Sequence, residues 1–154
     1  MRRDIKVEQV AKKGKKMRRD VVVEQVTLDA GEYWLGDPCY VIRDEDWIPW
    51  LEECDYTTET NLVGNIPGTE HEAVGFATSY GDGVYPYLVN GEEEFELGVD
   101  AGMIGFVPVE YEPKPRLEGL VTKVSFSRMT TVRWENGNFS WWGQDGECEV
   151  KTDD

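Results

Sequence analysis

Three short stretches set an aspartate beside a glycine: Gly36-Asp37-Pro38-Cys39, Tyr80-Gly81-Asp82-Gly83 and Val99-Asp100-Ala101-Gly102. Carboxylates brought together from three turns could hold a small ligand or a hard cation, since oxygen-rich clusters suit Ca²⁺ and Mg²⁺. Cys39, two residues after Asp37, adds a possible nucleophile. The candidate binding set is therefore Asp37, Cys39, Tyr80, Asp82, Tyr85 and Asp100. Asp and Gly are also the natural turn pair. Asp bonds nearby backbone N–H groups and Gly accepts positive φ. The structural reading of these motifs is the favoured one.

The chemistry that would make the set catalytic is thin. The stretch after Asp82, Gly83-Val84-Tyr85-Pro86, lacks the alternating acids of an EF-hand loop. The phosphate-binding P-loop, the serine-hydrolase elbow and the HExxH zinc motif are all missing. One histidine, His71, leaves Cys39 without an obvious activating base nearby in sequence. Cys39, Cys54 and Cys148 form an odd set with no CxxC pair. That argues against a zinc site and a disulfide framework, and fits a reducing compartment. The sequence implies no catalytic residues, no metal and no cofactor.

Charge is the strongest global signal. Residues 1–19 carry nine basic and two acidic residues, a net of +7. The remaining 135 residues carry seven basic and 29 acidic ones, a net of −22. The expected organisation is a basic N-terminal arm, 1–19, and an acidic body, 20–154. Such a body repels nucleic acid, which disfavours that partner. It is at ease in high salt, like proteins of salt-loving microbes, or against a basic protein. No run reaches the roughly 18 apolar residues that span a bilayer, and no apolar stretch follows the charged start as a secretory signal would require. The expected setting is intracellular, or a virion.

The arm contains a repeat. Residues 1–10, MRRDIKVEQV, return at 17–26 as MRRDVVVEQV, identical at eight of ten positions. A tandem duplication, or a start added upstream of Met17, would explain it. The second copy reads as a strand by its β-branched content. The first could pair as a strand with a sheet edge, in its own chain or a neighbour. Arg2, Arg3, Lys6, Lys12, Lys13, Lys15 and Lys16 are therefore assigned to contacts with an acidic protein surface, intra- or inter-subunit.

The elements that must position these residues are mostly strands. Short β-type segments recur over 21–28, 33–35, 73–79, 84–89, 94–99, 103–109, 120–126, 130–134, 139–142 and 148–151, with a turn followed by a strand at Gly36–Ile42. Asn90-Gly91 and Asn136-Gly137 are strong hairpin signals. Asp44–Glu53 reads as the one helix, N-capped by Asp44 and shortened by Pro49, with Trp47, Trp50 and Leu51 on one face. Residues 55–72 read as a long loop. About ten short strands with one short helix predict a mainly β domain, a sandwich or a partly open barrel. Trp141 and Trp142, being consecutive, must face opposite sides of their strand. One fills the core, and Trp141 is assigned to the partner-facing set.

The three motifs also resemble, in the same order, elements of uncharacterised small proteins encoded by tailed phages and bacteria. Those proteins share GDPCYV, YGDGxY and VDAGxIG stretches, here spanning about Gly31 to Pro108. The resemblance implies a viral or prokaryotic setting and carries over no activity. Two functions are expected from all this. The first is a non-enzymatic interaction protein that docks into a larger assembly of protein subunits, with copies of itself among the candidate partners. The second is a small-molecule or nucleotide binder or hydrolase using Asp37, Asp82 and Asp100.

Overall fold

A computed structural model describes residues 2–11, 18–115, 117 and 120–153, with only the backbone described for residues 2, 6–11 and 18–21. Lys12, Lys13, Lys15 and Lys16 lie outside the described residues. Among the described residues, twelve strands are arranged in two sheets. They are β1 (Arg2–Ala11), β2 (Arg18–Leu28), β3 (Gly31–Gly36), β4 (Leu62–Asn65), β5 (Glu72–Ala77), β6 (Gly83–Val89), β7 (Glu92–Val99), β8 (Met103–Pro108), β9 (Thr122–Phe126), β10 (Thr130–Glu135), β11 (Asn138–Gly143) and β12 (Gly146–Val150). The larger sheet runs β1-β2-β10-β11-β12-β6-β7 and the smaller β4-β5-β8-β3-β9. Neither closes on itself, so the fold is sandwich-like.

Alternation along the strands explains the layers. Val26, Leu28, Val132, Trp134, Phe139, Trp141 and Val150 point from the larger sheet into one core, against Leu35, Phe76, Phe106 and Phe126 of the smaller. The rings interlock, with Phe76 and Phe139 centroids 4.7 Å apart and Phe106 edge-on to Trp141 at 5.3 Å. Edge and offset contacts of this kind suit the ring quadrupoles. The smaller sheet is covered on its other face too. Helix α1 (Asp44–Glu53) sets Trp50 there, with Val41, Ile42, Cys54, Ala73 and Val107. Burial on both faces is why β5 and β8 each have four consecutive buried residues, whereas β10 and β12 alternate.

Both Asn-Gly hairpins form as the turn chemistry demands. Asn90 and Gly91 have φ of 51° and 81°, and Asn136 and Gly137 of 55° and 89°, the paired positive values of a two-residue hairpin turn.

Four expectations need correcting. Cys39–Ile42 is not a strand. Pro38–Tyr40 is a 3₁₀ turn, because the Asp37 carboxylate accepts from Cys39 N–H at 2.9 Å and Pro38 fixes its first φ. The loop 55–72 contains β4, whose pairing partner β5 supplies most of the apolar content. The helix begins at Asp44 rather than being capped by it, with Arg43 in the capping position. It also runs through Pro49, which lies on the exposed side where water can reach the carbonyl left without a donor. Trp141 is in the core at 3% exposure, and it is Trp142, at 71%, that faces outward.

Candidate functional site

The repeat pairs with itself. β1 lies antiparallel on β2, from Arg2 opposite Thr27 to Ala11 opposite Arg18. Strand β2 thus runs through the expected boundary at residue 20. On β2 the positions facing the core follow the two-residue period Glu24, Val26, Leu28, so one of them is a carboxylate. Glu24 is 2% exposed. A buried carboxylate is costly without partners, and two side chains meet it. The Arg3 guanidinium pairs with it, Asn61 Nδ2 donates to Oε1 at 2.8 Å, and Arg3 also donates to the Asn61 carbonyl at 3.0 Å. The Asn61 side-chain oxygen in turn accepts from Ala77 N–H at 2.8 Å. Arg3 therefore ties the arm to its own body. Of the other arm residues assigned to partner contacts, Arg2 and Lys6 have only their backbone described, in β1.

The first and third Asp motifs are joined, and through backbone rather than through a ligand. Asp37 is fully buried, and its carboxylate accepts from Cys39, Asp100 and Ala101 N–H at 2.9, 2.8 and 2.6 Å. Burial pushes its carboxyl above the usual range, while those donors oppose the shift. Gly102, at φ 72°, lets the second turn close against it. Asp37 is thus a clasp between two turns, with its oxygens already taken.

Around this clasp is an open pocket of about 680 Å³ lined by Cys39, Tyr40, Asp44, Trp47, Asp100, Lys114 and Leu120. Lys114 pairs with Asp44 at 3.0 Å. Burial, then the Asp37 carboxylate, pushes the Cys39 thiol up, and burial with Asp100 does the same to the Tyr40 hydroxyl. Both groups stay protonated, so Cys39 is a poor nucleophile and Tyr40 a donor. Such a pocket can bind polar groups, and among the described residues none of its lining side chains is an activated attacking atom.

The middle motif lies elsewhere. Asp82 is exposed and does not line this pocket. Gly81 has φ 72°, and its carbonyl accepts from Tyr85 Oη at 2.9 Å and Thr78 Oγ1 at 2.7 Å. Tyr80 is 70% exposed, its hydroxyl 3.4 Å from Asp153. His71 lines a different depression, with Asp29, Glu32, Glu70 and Glu72.

Comparison of the chain with protein-family models, with curated proteins and with solved structures finds no match.

Residues the sequence reading missed are Glu24 and Asn61 at the arm, and Tyr40, Asp44, Trp47 and Lys114 at the pocket. Glu24 carried a usable signal. It is a charge on the apolar stripe of Val26 and Leu28, and such a charge needs a partner. These pocket residues come from three separate segments and carried none.

Proposed function

We propose that this chain is a non-enzymatic interaction protein that joins a larger protein assembly through the basic β1–β2 hairpin at the end of its larger sheet. One observation carries the reading. β1 is the edge strand of seven, and of its residues whose burial is described Asp4 and Ile5 are exposed, Ile5 at 54%, with Val22 of β2 50% exposed beside it. An edge with open backbone groups is a template for another strand. The acidic body favours a protein partner over nucleic acid, and the phage-like motifs favour a virion or the host cytoplasm as the setting. Cross-linking in the producing cells tests this. Links should run from Lys6, Lys12, Lys13, Lys15 and Lys16 to other polypeptide chains. A complete absence of intermolecular links from these lysines would overturn it.

The ligand-binding alternative has one observation in its favour, the pocket of Cys39, Tyr40, Asp100 and Lys114. It does not use the three aspartates together, since Asp37 is taken by backbone donors and Asp82 is outside.

A further inference from the structure

We propose that the depression at Trp47 is a binding site for a small amine with an aromatic body, its ammonium on Asp100 and its ring on Trp47. This ligand class deepens the ligand-binding alternative above and does not rest on the arm. Two depressions meet at Trp47. The polar one, of about 680 Å³, has Tyr40, Asp100 and Lys114 in its lining. The apolar one, of about 380 Å³, has Leu51, Tyr56, Leu62 and Met103. Trp47 lines both, and the Asp100-Ala101 turn borders both as well. Together they offer an apolar bed with a few polar groups at one end, at a size that suits a small ligand.

The charges choose a cation. Lys114 is already matched, 3.0 Å from Asp44. Among the described residues no Lys or Arg pairs with Asp100, and its side-chain partner is the Tyr40 hydroxyl, which donates to it. With its proton committed, the Tyr40 oxygen is left as a second acceptor. An ammonium can therefore donate to both, while a carboxylate there would meet Asp100 with like charge. The Trp47 ring adds attraction for the same cation, and the acidic body draws cations toward it. The acceptors are also fixed before any ligand arrives. The Asp100 and Ala101 N–H groups donate to Asp37 at 2.8 and 2.6 Å, a clasp that uses the backbone of Asp100 and not its carboxylate. The Tyr40 N–H donates to the Asp37 carbonyl at 3.0 Å. Trp47 packs on Trp50 with ring centroids 5.7 Å apart, and the Trp50 indole N–H donates to the Gly64 carbonyl at 3.1 Å. A site held in this way loses little entropy on binding.

Titration of the full-length protein with phenethylamine, followed by amide NMR, tests the site. Saturable shifts should centre on Tyr40, Trp47, Asp100 and Gly102. Phenylpropionate, with the same aromatic body and the opposite charge, should bind at least about tenfold more weakly. Asp100→Asn should weaken the amine about tenfold, and the fold should persist because Asp37 holds the backbone of that turn. Asp82→Asn removes the same charge outside the depression and should leave the affinity unchanged, which separates direct contact from the general field of the body. The spectrum of each variant reports directly on its fold. Shifts that do not saturate, equal binding of the two probes, or equal effects of the two substitutions overturn the proposal. If the amine fails while the arm lysines still link to other polypeptides in cells, only the ligand reading falls. If the amine binds and those links are missing, only the interaction reading falls.

Discussion

The Arg3 guanidinium meets the Glu24 carboxylate across the first strand pair of the larger sheet, with Glu24 2% and Arg3 23% exposed. Arg3→Ala removes the charge partner and leaves Asn61 as the remaining side-chain donor. The expected cost is about 2 kcal/mol, below the range for a fully enclosed pair because Arg3 is partly solvated. Glu24→Gln added to Arg3→Ala should recover part of this, since a neutral amide is cheaper to bury than an unpaired carboxylate. Chemical denaturation of the parent, both single variants and the double variant gives the coupling. Additive costs would mean that the two groups act independently.

Asp37→Asn is the sharper test of the clasp. The amide oxygen can keep some of the three N–H donors, but the NH₂ group then faces another donor in a buried site. The expected loss is about 2–3 kcal/mol of stability, seen as a lower denaturation midpoint. Removing an exposed carboxylate, as in Asp82→Asn, should change stability by less than about 0.5 kcal/mol. Equal effects from the two substitutions would contradict the assignment of Asp37 as structural.

Alkaline pH should weaken the fold in a defined window. Burial, then Asp29, Glu72 and Glu110, pushes the Tyr33 hydroxyl up to about 12 from 10.0. Burial, then Glu53, pushes the Cys54 thiol up to about 12 from 9.0. Both groups hold their protons more tightly when folded. Their contribution is therefore complete below pH 9 and is lost as pH rises toward 12, first through Cys54 and then through Tyr33. Denaturation midpoints at pH 7, 9 and 11 check this. Tyr33→Phe should flatten the fall above pH 10, and an unchanged slope would rule out Tyr33 as a contributor.

Salt should act in the opposite direction. Residues 20–154 carry a net charge of −22, and the Debye length shrinks to about 3 Å at 1 M. Raising KCl from low to molar concentration should raise the melting temperature by screening self-repulsion. The partly enclosed Arg3–Glu24 pair loses little to the same screening. A melting temperature that stays flat or falls would show that self-repulsion is not a governing cost.

How much was legible depended on whether the cause was local. Asn90-Gly91 and Asn136-Gly137 specify their turns by residue type alone, and both hairpins were readable. The helix Asp44–Glu53 was readable from its aromatic face and its acids. β4 was not. Leu62-Val63-Gly64-Asn65 has too few apolar residues to announce a strand, and it forms because β5 is beside it. Cys39–Ile42 misled for the converse reason. Its side chains favour extension, but the Asp37 carboxylate and Pro38 impose a tight turn locally. At the candidate site, the Asp-Gly turns were visible as turns. That Asp37 would reach Asp100 and Ala101, some sixty positions on, depends on sheet packing that no local pattern encodes.

The unequal covering of the two sheets has a consequence for motion. β5 and β8 are enclosed between the aromatic core and helix α1, so their amide protons should exchange with solvent only when the whole molecule opens. β1 lies at the end of its sheet, paired with β2 and anchored by Arg3 on Glu24 among the described contacts, so it is the element best placed to peel away as a unit while the rest stays folded. A small population with β1 released would then exist at equilibrium, exposing the β2 edge and the Glu24 carboxylate to solvent. In such a molecule the first strand is a reversible latch. Any partner that holds the released form would draw on local opening rather than on global unfolding.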